Sequence, residues 1–387
     1  MEASIDIKRL DSDEGYRREQ FPITVKKVFF GHAAITALPR CTVSAMNAYL
    51  ERSATDFAGF EVELEEYKQA RKACAELIGG KPQEIALLGP TTLGINLVAN
   101  GIDWQPGDEI VCYDADYPAN VYPWMEQERR GAKVVRLQPE RPGEITPELV
   151  EAALTGKTRL VALASVHFFT GYAIDVEAIG RLLKERGVLF SLDAIQSVGA
   201  LPTSVENVDF LSADAHKWML GPMSAGIFYV KESRFEELRP TLLGAWNVSC
   251  PDFVVQDAIR FHPTAQRYEP GVLNVVGIHG MVAGIRMLRS VGIDFVKARC
   301  LRMKHLAVEM LESKGFEIFG PKEGPSATSI TTFTHPSKDV SALWKALDDT
   351  GIVTSLRMDR EKRAYIRISP HFYNTEAEVE RLSELLQ

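Results

Sequence analysis

Cysteine is scarce in this chain. There are five in 387 residues (Cys41, Cys74, Cys112, Cys250 and Cys300), scattered, odd in number and with no C-x-x-C pair. That argues against a disulfide framework and against a structural zinc site, and no metal is expected. Long apolar runs are also missing. No stretch could span a bilayer, and the charged opening MEASIDIKRLDSDEGYRREQ has no signal-peptide core. Excess positive charge is absent too: 44 basic residues face 52 acidic ones, a formal net charge of −8. A nucleic-acid or anionic-membrane surface is therefore not expected. The chain shows no internal repeat, no low-complexity segment and no G-x-x-x-x-G-K-[ST] phosphate loop. What remains is ordinary globular composition, 45% hydrophobic and 25% charged, and the expectation of a cytoplasmic protein. At this length a single core is too large, so two domains are expected.

What is present is an alternation. The runs EIALL (84–88), EIVCY (109–113), KVVRL (133–137), RLVALASV (159–166), VLFSLDA (188–194), DFLSA (209–213) and AGIFYV (225–230) are apolar and strand-like. Between several of them lie amphipathic helical stretches such as TLGINLVAN, TPELVEAAL and DVEAIGRLLKERG. This pattern predicts an α/β fold with a mostly parallel, seven-stranded type of sheet covered on both faces. Ligands of such sheets sit beyond the carboxyl ends of the strands. From about residue 265 the texture changes: a turn (RYEPGVLN) feeds a long helix, followed by short strands (SITTF, RAYIRIS) and helices at 294–314, 339–350 and 375–386. The expected division is an N-terminal segment 1–25, a large domain 26–270, and a small α+β domain 271–387 that includes the linking helix.

Three segments carry candidate chemistry. VLFSLDA places Asp193 and Gln196 at a strand end, and SADAHKWMLGP brings Asp214, His216 and Lys217 after another. A buried lysine amine is readily neutral and nucleophilic, and a carboxylate at a neighbouring strand end can pair with a protonated ring nitrogen. A plain structural reading carries equal weight from spacing alone: Asp193 caps the next helix and Lys217 is a turn residue. In GPTTLGINLVAN, Thr91 and Thr92 open a helix after a Gly-Pro break. Free N–H groups and two hydroxyls there make a phosphate cradle, although a threonine N-cap alone is the commoner use. In RAYIRIS, Arg367 sits between Ile366 and Ile368, where it either forks onto a carboxylate or faces water from an edge strand. Thr375 with Glu378 reads as a capping box.

Together these segments, in order along nearly the whole chain, resemble the class V aminotransferase and cysteine desulfurase family of fold-type I pyridoxal 5′-phosphate (PLP) enzymes. The resemblance implies that Lys217 carries PLP as a Schiff base and that His216 contacts its phosphate with Thr91 and Thr92. It further implies that Asp193 pairs with the pyridinium, Gln196 bonds the ring hydroxyl, and Arg367 grips the α-carboxylate of a small amino-acid substrate. Asp214 in the same SADAHKW run is counted with the cofactor-binding set. A homodimer with active sites at the subunit interface is implied as well.

Departures from the family pattern narrow the reaction. The desulfurase nucleophile should precede Arg367, yet GIVTSLRMDREKRAYIR holds no cysteine. Where desulfurases place a histidine over the ring, this chain reads YPANVYPW, and Tyr117 is expected to stack there. Phe168 in SVHFFTG replaces an asparagine, leaving His167 as a pocket candidate. Val272 in RYEPGVLN replaces the threonine that reaches the partner's phosphate, with Asn274 as a remaining contact. These features, with His32 and Ala33 of FFGHAAITALP near the substrate, resemble an isopenicillin N epimerase-like and C–S lyase-like branch. The resemblance then implies proton removal from Cα by Lys217, followed by β-elimination. Transamination, epimerisation and an inactive PLP-binding module are the alternatives.

Overall fold

In the computed structural model, which describes residues 5–56 and 60–386, a two-residue strand β1 (Val28–Phe29) comes first. The seven apolar runs then form one sheet: β2 (Ile85–Leu87), β3 (Glu109–Cys112), β4 (Lys133–Arg136), β5 (Thr158–Ala164), β6 (Leu189–Asp193), β7 (Phe210–Asp214) and β8 (Gly226–Val230). Their order is β2-β8-β7-β6-β5-β3-β4. Strands β4, β3, β5, β6 and β7 pair in parallel, whereas β8 runs antiparallel to both β7 and β2. Every residue of β3, β6, β7 and β8 is buried. That burial on both faces is why these strands read as continuous apolar runs. Ile110 packs into one hydrophobic cluster and its neighbour Val111 into the other, as the two-residue strand period requires. Only β4, at the sheet edge, is half exposed.

The parallel strands end together at Cys112, Ala164, Asp193 and Asp214. Ala164 and Asp193 are register partners, as are Asp193 and Ser212. The loops leaving this edge therefore share one space.

The helix Val275–Val291 leads out of the large sheet, with Asn274 accepting from Gly277 N as its cap. After the helix Ile293–Ser313 come β9 (Glu317–Phe319), β10 (Thr331–Thr334), β11 (Ile352–Val353), β12 (Ser355–Met358) and β13 (Ala364–Ile368). Four of these form an antiparallel sheet in the order β12-β13-β10-β9. The expected capping box closes the start of the last helix, Glu376–Leu385. Residues 26–30, expected with the large domain, pack on the small one instead: β1 pairs with β11, and Val28 and Phe30 join the cluster of Phe333, Ile352 and Ile366. Phe21 stacks on Tyr373 with ring centroids 3.9 Å apart, and Arg17 pairs with Glu378 at 2.9 Å, both buried.

The sequence reading missed the helices Arg40–Thr55 and Phe60–Ile78. Buried Tyr67, Ala70, Cys74 and Ile78 recur at three- and four-residue steps in the second, so the helical signal was present. No described helix is long and apolar enough to cross a membrane.

Candidate active site

The strand ends and the β12–β13 hairpin converge on Lys217. This lysine follows β7, lies 8% exposed, and holds its Nζ 5.6 Å from the centre of the Tyr117 ring. Burial lowers its pKa; attraction to Asp193 opposes that, while the cations of Arg367 and Arg357 reinforce it. The amine is thus more available in its neutral, nucleophilic form than an exposed lysine. Asp193, at the end of β6, is also buried and accepts from Ile195 N at 3.1 Å. Burial raises its carboxyl pKa, and the nearby Asp116 raises it further. Among the described residues it forms no ion pair.

A second corner lies where the helix Thr91–Gly101 begins. No side chain caps that helix, and Pro90 occupies the cap position, so its first N–H groups lack a side-chain acceptor. Thr91 is buried and its Oγ1 accepts from Asp214 N at 2.8 Å, whereas Thr92 is exposed. Asp214 does not offer itself to an anion, contrary to its expected place among the cofactor contacts. Its buried carboxylate accepts from His216 N and Ser224 N and holds His216 Nδ1 at 2.6 Å. It therefore positions His216, whose Nε2 has no hydrogen-bond partner among the described residues. Asn274 reaches the same corner through a 3.1 Å bond from its Nδ2 to Ser224 O.

The third corner is cationic. Arg367 on β13 is 1% exposed. Its Nη1 donates to Phe168 O, but Nε and Nη2 are buried without a partner. Burial, then the neighbouring Arg357, depresses its pKa well below the ordinary value. Arg357 is the residue that sequence reasoning missed. Arg357 faces Tyr365 across the hairpin and Ser355 faces Arg367, which places the two arginines diagonally on one face. Arg357 Nε is likewise buried and unpartnered. Nothing in the charged run RMDREKR distinguishes it; only the register of the hairpin does.

Several expected residues are used otherwise. His32 is fully buried with both ring nitrogens engaged, Nδ1 on Ser369 O at 3.0 Å and Nε2 on Tyr373 Oη at 2.9 Å. Ala33 donates to Ser369 Oγ and accepts from Gln196 Nε2 at 3.0 Å. Both therefore fasten the N-terminal segment and offer no polar group to a substrate. Gln196 also accepts from Trp218 Nε1 at 2.8 Å, which leaves one amide hydrogen for a ligand. His167 bonds Thr170 Oγ1 and Ala115 O, and burial lowers its pKa to about 4. It is a neutral pin between two loops. Phe168 meets Tyr117 edge-on at 5.5 Å, forming an aromatic wall beside Lys217.

These features suit an anionic pyridine cofactor and an acidic substrate. The uncapped helix start with His216 suits a phosphate, Asp193 a protonated ring nitrogen, and the unpartnered guanidinium atoms a carboxylate.

Comparison with known proteins agrees. The family model described as aminotransferase class-V matches residues 28–382. A probable cysteine desulfurase of Pyrococcus abyssi is 26% identical over 388 residues, covering 96% of each chain. The apo cysteine desulfurase from Thermococcus onnurineus NA1 superposes with a TM-score of 0.89 at 25% identity, covering 96% of this chain and 97% of the other. A cystine C–S lyase solved with its product cysteine persulfide gives 0.84 at 21% identity, covering 95% and 99%, a likeness of fold.

Proposed function

The chain belongs to the class V aminotransferase family of PLP-dependent enzymes, with the fold-type I architecture, and from that premise we propose that it is a C–S lyase. It would cleave the β-carbon–sulfur bond of a small sulfur amino acid, cystine being the best fit, without forming a persulfide on a cysteine of its own. The observation that carries this reading is the β12–β13 hairpin, which contributes Arg357 and Arg367 and no thiol. Cys74, Cys112 and Cys300 are buried, and burial pushes each thiol up to about 12, far from the thiolate a sulfur acceptor needs.

Lys217 would anchor PLP, Asp193 would hold the ring-nitrogen proton, and Thr91, the helix start and His216 would hold the phosphate. When bound, the cofactor supplies an electron sink for charge developing at the substrate α-carbon. Arg367 would take the α-carboxylate through the guanidinium nitrogens that the protein leaves unpaired. Arg357 would take a second acidic group, which cystine has and cysteine lacks. Tyr117 and Phe168 would wall off water on one side. Lys217 Nζ, freed by the incoming amine, would accept the Cα proton as general base. Loss of that proton and departure of sulfur with the Cβ–S electron pair, followed by hydrolysis, would convert cystine and one water to pyruvate, ammonia and cysteine persulfide.

The test is product analysis with cystine and with cysteine, followed by assay of the recovered protein for bound persulfide. Pyruvate from cystine with no sulfur on the protein supports the reading. Alanine with a protein persulfide would make the chain a desulfurase despite its hairpin. A keto acid keeping the substrate's sulfur would indicate transamination.

A further inference from the structure

Asp116 lies on the loop after β3, buried, and has no part in the chemistry above. Its carboxylate accepts from Tyr117 N at 2.7 Å and from Asn120 Nδ2 at 3.1 Å. Asn120 in turn accepts from Trp124 Nε1 at 3.1 Å, and both Asn120 and Trp124 are buried. Asp116 and Ala164 line the same small cavity. Ala164 ends β5 and is the register partner of Asp193. Asp116 and Asp193 therefore lie about the same strand end, and the carboxyl of Asp193 feels the charge of Asp116.

This arrangement is costly for a purely structural residue. Asp116 raises the pKa of the buried Asp193, and burial pushes Asp116 itself up to about 6. An asparagine would present its amide nitrogen to one of these two donors, which sit on different oxygens, so the place calls for a carboxylate and a carboxylate brings a charge. What the charge adds is attraction for a cation at Lys217.

We infer that Asp116 is a positioning residue of this site: it aims Tyr117 across Lys217 and supplies a second negative charge, behind Asp193, that favours the protonated state of the Lys217 nitrogen when the cofactor is attached. The other charges facing that nitrogen are Asp193 at the end of β6, Asp214 at the end of β7, and Arg357 and Arg367 on the hairpin. The two arginines act in the opposite sense, so Asp116 offsets the positive charge that the substrate-binding arginines bring. The inference rests on the cofactor assignment and is independent of the reaction type.

The test is a pH titration of the absorbance of the PLP-loaded protein, comparing wild type with Asp116→Asn and Asp116→Glu. Removing a negative charge destabilises the cationic form, so the midpoint of Asp116→Asn should fall by roughly 0.5–1 pH unit. Asp116→Glu, which returns the charge, should restore most of it. An unchanged midpoint in Asp116→Asn overturns the inference, as does an equal shift in both variants, which would trace to packing. If Asp116→Asn does not fold, Asn120→Ser removes one donor from the same carboxylate and should move the midpoint down by less; no movement overturns the inference. A wild-type protein that never develops the lysine-bound band would instead refute the cofactor assignment.

Discussion

Arg367 sits on β13 between Ile366 and Ile368, both buried, with two guanidinium nitrogens facing no acceptor. A buried charge left in this state costs the folded protein stability. Arg367→Met should therefore raise the melting temperature of the ligand-free protein by a few degrees, a gain of about 1–3 kcal/mol, while abolishing turnover. Arg367→Lys should keep the charge but lose the fork, raising KM for the amino acid at least tenfold. Calorimetry of the first variant and kinetics of the second check this; a lower melting temperature in Arg367→Met would mean that the guanidinium is already satisfied by the protein. At this scale the sequence was legible where a residue type was incongruous, as with a charge between two isoleucines or a lysine flanked by His216 and Trp218. It was illegible for Arg357, lost among charged neighbours, and for Asp116, one of two aspartates in a loop between Tyr113 and Tyr117. It misled for His32, whose imidazole is absorbed by Ser369 and Tyr373, contacts more than 330 residues away in sequence.

The elements of the large sheet were the easiest to read, because strands buried on both faces leave no polar residue to interrupt them. The short pairings β1–β11 and β9–β10 were missed for the converse reason: two or three residues carry no period. The helix Ile293–Ser313 carries an unusual device under the small sheet. Lys304 is 1% exposed, and its Nζ donates to Ile330 O at 2.8 Å. Burial lowers its pKa to about 7. Its ordinary value is 10.5, so between about 7 and 10.5 the unfolded chain binds the extra proton. Stability should therefore rise with pH across that window, and the penalty is fully present below pH 7. Lys304→Met should flatten the dependence of melting temperature on pH between 7 and 10. A variant whose slope equals the wild type's would show that Lys304 does not titrate there.

For the molecule as a whole, the large sheet and the small C-terminal sheet meet at the candidate site. The large sheet brings Lys217, Asp193 and the Thr91 helix start, and the small domain brings the two arginines. Fold and cofactor were legible at this scale because motifs hundreds of residues apart occur in one fixed order. The reaction was legible in part: the missing cysteine before Arg367 can be read from the sequence, whereas the place of Arg357 beside Arg367 depends on the register of the hairpin. The most direct test of the central claim is the absorbance spectrum of the PLP-loaded protein during addition of cystine, with Lys217→Ala alongside. The account predicts a lysine-bound band in the wild type only, which persists while pyruvate accumulates. Decay of that band to the pyridoxamine form without pyruvate would contradict it.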